Sequence, residues 1–280
     1  WVEYATFDGV SWTVEEVGSG PVLYEFGAGI AVDSQGRPHV VWFDDGEQDL
    51  RYAVKEGGSW QLSTVDSQGD VGRYPSLTLD GRGNPAISYF ESTGDSTGYI
   101  KVARWDGSQW NTQRVDKLEN VFSGHFGARK ISSLVLDGDD NPSVAYSDEQ
   151  VIKLAAWDGS RWVSDTVLTA DGDPLGQQVS LALDGNGVLH LTFANVASKG
   201  GTGVRGVVRY AKGTPEARAV SDSQVSLGEA GAPVETGFTG ASLVQPDPDF
   251  EKELAEARIS TGVWNTDFSL HTVPYSDIFS

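Results

Sequence analysis

The stretch VDKLENVFSGHFGARK (Val115 to Lys130) gathers Phe122, His125, Phe126, Arg129 and Lys130 within nine residues. Flat aromatic rings can stack on a sugar ring. A guanidinium fork and an ammonium can hold a carboxylate. Together these residue types suit an acidic glycan; the other reading is that Phe122 and Phe126 anchor a long loop. The three cations stand out in a chain with 40 acidic residues against 20 Lys and Arg. Tyr24, in VGSGPVLYEFGAG (Val17 to Gly29), is a further candidate contact on a second long connection.

Nothing in the sequence completes a catalytic constellation. A general acid or base needs partners within hydrogen-bond reach, and no partner for His125 can be located. His39 and His190 occupy one repeat position, which reads as a habit of the repeat. His271 falls on an expected strand. The acidic turns DGDD (Asp137, Asp139, Asp140) and TADGDP (Asp171, Asp173) could attract Ca²⁺, but neither has the spacing of a calcium loop. No catalytic residue, metal or cofactor is therefore assigned.

The elements that would position these residues come from repetition. ATFDGVSW (Ala5 to Trp12), ARWDGSQW (Ala103 to Trp110) and AAWDGSRW (Ala155 to Trp162) are one phrase. A second phrase alternates with it: IAVDSQGRPHVVWF from Ile30, LTLDGRGNPAISYF from Leu77, LVLDGDDNPSVAYS from Leu134 and LALDGNGVLHLTFA from Leu181. Each reads as two short β-rich runs around Asp-Gly or Asn-Pro turn residues, hence a hairpin. Two hairpins per repeat of about fifty residues give four antiparallel strands, the pattern of a propeller blade.

The expected fold is therefore all-β: a single β-propeller domain over residues 1–280. Six blades are the expected number, with five or seven as alternatives. The chain starts inside a blade's outer hairpin, so residues 2–16 are expected to pair with the C-terminal segment and close the ring, which would otherwise leave sheet edges bare. RYAKGTPEARAV (Arg209 to Val220) reads as a copy that lost its aromatic turn, and GASLV (Gly240 to Val244) as a fifth trace of the inner hairpin. Trp110 and Trp162 are expected to be buried structural residues.

With 34 Gly, 9 Trp and no Cys, the chain suits tight turns and aromatic packing, without disulfides. A net charge of −20 argues against a nucleic-acid partner, and no apolar run reaches the length of a membrane span. The absence of Met, even at position 1, reads as a mature form or fragment that has lost any signal peptide.

The patterns LDxxGxPxxxY and LxYAxWDGxxW resemble the repeat of secreted bacterial β-propellers, distantly similar to sialidase-like (BNR) propellers. The resemblance runs from Val2 to about Tyr210. It implies an extracellular, cell-surface or periplasmic protein. The sialidase Asp-box is not matched and no arginine triad is recognisable, so sialidase activity does not carry over. Three functions stay open: a non-catalytic module binding a glycan or protein partner through its long-loop face, an enzyme acting on an acidic polysaccharide, or a structural component of a surface assembly.

Overall fold

The computed structural model describes residues 1–22, 27–94, 97–119, 131–147, 151–169, 175–198, 204–215 and 238–239. These residues are all strand and turn. A two-stranded sheet, β1 (Val2–Phe7) and β2 (Trp12–Gly18), is followed by four four-stranded antiparallel sheets. Sheet 1 comprises β3 (Ala28–Val32), β4 (Pro38–Asp44), β5 (Asp49–Glu56) and β6 (Ser59–Asp66). Sheet 2 comprises β7 (Asp70–Leu79), β8 (Pro85–Gly94), β9 (Thr97–Trp105) and β10 (Trp110–Leu118). Sheet 3 comprises β11 (Ser132–Leu136), β12 (Pro142–Ser147), β13 (Val151–Trp157) and β14 (Trp162–Thr169). Sheet 4 comprises β15 (Leu175–Leu183), β16 (Leu189–Ser198), β17 (Val204–Pro215) and β18 (Phe238–Thr239). Within each sheet the strands run in chain order from inner to outer.

The repeated aspartates build the hairpins. Asp33, Asp80, Asp137 and Asp184 each accept two backbone N–H groups of their own turn, two and four residues on. Asp8, Asp106 and Asp158 do the same for the outer hairpins, two and three residues on. Such bonds, with a following glycine at positive φ, are Asx-turn chemistry; Gly107 (φ 98°) and Gly159 (φ 97°) supply the glycine.

The core lies between sheets. One apolar cluster joins the β1–β2 pair to sheet 1, and three more join sheets 1 and 2, 2 and 3, and 3 and 4. Successive inner strands are also stitched by serine. Ser76 Oγ in β7 accepts the Leu134 N–H of β11 at 3.3 Å, and Ser133 Oγ in β11 accepts the Leu181 N–H of β15 at 3.0 Å. Both serines are buried. In sheet 1 the same repeat position is Gly29. A Cβ there would lie 3.3 Å from Leu77 N but only 2.8 Å from Val41, so the smaller residue is required.

Two expectations change. Strand pairing extends into a stretch read as a loop, because Val115–Leu118 belongs to β10; β16 likewise continues through Ser198. The long connections are shorter than their sequences suggested because the ladder continues past the repeat. Phe238 pairs with Pro215 as part of sheet 4's fourth strand. Trp110 and Trp162 are half-buried rather than buried. The C-terminal segment, residues 250–258 and the GASLV trace lie outside the described residues.

Candidate functional site

Every outer-to-inner connection (β2–β3, β6–β7, β10–β11, β14–β15) leaves the same edge of the sheets as the turns joining the two middle strands. Two of these connections are long and start from firm ground. The β10–β11 connection begins after Leu118 (0% exposed) and ends before Ile131 (4%). Ile131 is held further by its carbonyl, which accepts the Ser147 N–H at 3.1 Å. The β2–β3 connection rests on the Asp44–Gln48 turn, where Pro21 O accepts the Asp45 N–H at 2.9 Å. Tyr24, Phe122, His125, Phe126, Arg129 and Lys130 all lie outside the described residues. What the structure defines is the scaffold from which their connections spring.

That scaffold carries a charged network with a repeating plan. Tyr89 Oη (β8) donates to Asp66 Oδ2 (β6) at 2.7 Å, and Lys101 Nζ (β9) donates to the same oxygen at 2.5 Å. One sheet on, Tyr146 Oη and Lys153 Nζ both donate to Asp116 Oδ2, at 2.8 and 2.7 Å. Glu91 extends the first network: Arg114 forks onto it at 2.9 and 2.6 Å and stacks over Tyr99 at 4.0 Å. Burial alone would raise the pKa of Asp66. The bonds from Lys101, Tyr89 and Gln68 N–H outweigh burial and hold it below the ordinary carboxylate value. A carboxylate so engaged stays anionic and ties two sheets together.

Two neighbours differ. Burial pushes Asp49 up, aided by the charges of Glu47, Asp44 and Asp66, while Arg51 at 3.5 Å opposes it. Burial also pushes Asp70 up, with Asp45 adding, despite the Arg73 fork at 3.0 and 2.5 Å. Their side chains remain 14% and 20% exposed. Raised carboxylates on one edge can exchange protons with a bound ligand. Among the described residues no group of three or more His, Cys, Asp or Glu is placed to hold a metal ion. Asp137 and Asp140 instead accept backbone N–H groups, Asp140 Oδ1 from Gly81 at 2.9 Å.

Sequence reasoning missed these networks, although a signal was present. Tyr89 and Tyr146 share a repeat position, as do Lys101 and Lys153, and Asp66 and Asp116 share the position they both reach.

No protein-family model matches the chain, and neither does any curated protein sequence. Solved structures do resemble it. The alpha-L-arabinanase of Penicillium chrysogenum, complexed with arabinobiose, superposes with a TM-score of 0.52 at 14% identity, covering 72% of this chain and 67% of that one. A mutant of the Aleuria aurantia lectin AAL, in complex with Fucalpha1-6GlcNAc, gives 0.48 at 17% identity over 82% and 72%. A Hadza microbial sialidase gives 0.40 at 14% identity over 65% and 43%. The first of these, together with the run of packed four-stranded sheets, establishes an all-β, propeller-type fold.

Proposed function

We propose that this protein binds a glycan on the edge that carries its outer-to-inner connections. The observation that carries this reading is the anchoring of a long connection between two buried residues, Leu118 and Ile131, on a rigid stack of sheets. Long connections on a rigid scaffold are where recognition concentrates. The likeness to an arabinanase holding arabinobiose supports a sugar as ligand. In this reading Phe122, Phe126 and Tyr24 stack on sugar rings, and His125, Arg129 and Lys130 take a carboxylate of the glycan. A glycan array comparing the parent with an Arg129→Ala/Lys130→Ala double variant tests it. Loss of uronate-bearing ligands is expected; equal binding by both proteins would remove these residues from the site.

A second reading, a polysaccharide-cleaving enzyme, is favoured by the raised pKa values of Asp49 and Asp70. It requires release of new sugar ends from a bound polysaccharide, lost in Asp49→Asn. An extracellular or surface location accords with either reading.

The ring itself is inferred to have six blades, closed by β1–β2. Trp60 packs edge-on against Tyr4 at 5.5 Å and Trp110 against Tyr52 at 5.3 Å, so each such Trp meets the preceding sheet. Trp12, at the same position, is 67% exposed among the described residues, beside exposed Phe7 and Val14. A closing blade would cover that face. Deleting residues 1–16 should then lower Tm sharply, and an unchanged Tm would refute closure.

A further inference from the structure

The start of β7 departs from the repeat. Its register with β8 shifts twice, between Val71 and Arg73 and between Arg73 and Ser76. Pro75 has no N–H to give to the ladder, and within a strand proline is confined to edges and bulges. Gly72 takes φ 115° and lies so close to β5 that a Cβ would come within 2.8 Å of Leu50 Cα. Only glycine fits, so the bulge is pressed onto a fixed neighbour. Val71 N–H to Gln48 O, at 3.0 Å, pins it again.

Tyr74 is held at φ 55° inside this bulge. A bulky residue in the left-handed region is a true outlier. Glycine or asparagine would hold the same backbone at lower cost. Strain of this kind persists where the surroundings impose it, and it clusters at ligand sites, as bulges do. The bulge lies on the innermost strand of sheet 2, between β3 and β11, on the edge described above. Beside Tyr74, Arg73 forks onto Asp70 with its guanidinium 5.4 Å from the centre of the Phe43 ring. Asp70, Arg73 and Tyr74 are all half-buried rather than sealed.

Resting on the glycan reading, we propose that Asp70, Arg73 and Tyr74 form a neutral-sugar subsite. A carboxylate and a guanidinium fixed side by side match two adjacent hydroxyls, one donating to Asp70 and one accepting from Arg73. The Tyr74 ring offers the apolar contact that a sugar face needs. The Asp70 carboxylate, with the charge of Asp45 close enough to act on it, disfavours an anionic group here, so this subsite takes hydroxyls, and any uronate carboxylate of the ligand lies elsewhere.

The probe is an array of neutral and uronate-containing oligosaccharides, read with the parent, Arg73→Lys, Tyr74→Asn and Tyr74→Phe, alongside thermal melts. Arg73→Lys removes the fork, and Tyr74→Asn removes the ring while easing the backbone. At least tenfold weaker binding to neutral and uronate ligands alike is expected from both. Tyr74→Phe should bind like the parent, because the ring is retained. The Arg129→Ala/Lys130→Ala variant should lose uronate ligands alone, which separates the two sites. Parent-like binding by Arg73→Lys and Tyr74→Asn would overturn the subsite while leaving the glycan reading intact. A lower Tm in Tyr74→Asn with parent-like binding would make Tyr74 a packing residue. A parent that binds no oligosaccharide would sink both readings together.

Discussion

Tyr89 and Asp66 meet across two sheets, hydroxyl to carboxylate, at 2.7 Å. The same two repeat positions meet at two further junctions, and the two members change together. Between sheets 2 and 3 it is Tyr146 with Asp116. Between the β1–β2 pair and sheet 1 it is Trp42 with Gly18, where a Cβ on the glycine would lie 3.0 Å from Trp42 Cζ2. A buried hydroxyl needs an acceptor, and a buried indole that fills the same space leaves room for no side chain.

If that complementarity is physical, the pairs should be exchangeable. Gly18→Asp alone should cost about 2–3 kcal/mol through overpacking and an unpaired carboxylate. Trp42→Tyr alone should cost a similar amount, leaving a gap and an orphan hydroxyl. The double variant should recover at least ~1 kcal/mol of the summed loss, because the new Tyr gains its acceptor. Chemical denaturation of all four proteins measures the coupling. Simple additivity would show that the two positions do not sense each other.

The Asp66–Lys101 pair makes an acid-side prediction. The pair is buried, at 3% and 8% side-chain exposure. Asp66→Asn should cost about 3–5 kcal/mol, because Lys101 loses its partner, and adding Lys101→Met should recover part of that. The folded pKa of Asp66 lies below the ordinary aspartate value. Its stabilisation is therefore complete above the unfolded pKa and is lost as pH falls through the folded pKa. Urea unfolding of Asp66→Asn should accordingly lack part of the parent's stability loss below about pH 4. An identical acid limb in both proteins would exclude Asp66 as its source.

The hairpins were legible in the sequence because they are local. Asp33 and its three counterparts bond to N–H groups two and four residues on, so each turn lies within one short phrase. The packing of Trp110 on Tyr52 was legible as a spacing but not as a degree of burial, which depends on the neighbouring sheet. The Asp66 network and the Asp70–Tyr74 bulge were not read. Tyr89 and Asp66 are 23 residues apart and meet only once two sheets pack. Tyr74 departs from its propensity, and propensity is the quantity such reading relies on. Of the ligand contacts expected from the sequence, none falls among the described residues.

Trp110 yields a gain-of-stability prediction. Its Nε1 is buried without a hydrogen-bond partner, while Trp162 Nε1, at the same repeat position, donates to Gln113 Oε1 at 3.2 Å. The residue equivalent to Gln113 in sheet 1 is Ser63, whose side chain is too short to reach. Ser63→Gln should supply the acceptor and raise stability by about 1 kcal/mol. The check is the denaturation midpoint at constant m-value. No change, or a loss, would mean that the indole is satisfied by water.

His39 sets the expected response nearer neutral pH. Its Nδ1 lies 2.5 Å from Tyr52 Oη, and its Nε2 3.5 Å from Asp33 Oδ2. Burial lowers its pKa below 6.5, and the nearby Asp33 only partly offsets this. The folded protein thus keeps the imidazole neutral at a pH where the unfolded chain is already protonating it. The unfolded state then binds more protons, so stability falls as pH drops below about 6.5 and levels off under the folded pKa. His39→Gln keeps a polar group but removes the titration. Unfolding free energies at pH 7.5 and 5.5 should fall further for the parent than for this variant. Equal slopes would show that the His39 pKa is the same folded and unfolded, and that the Asp33–His39–Tyr52 contact has no part in acid sensitivity.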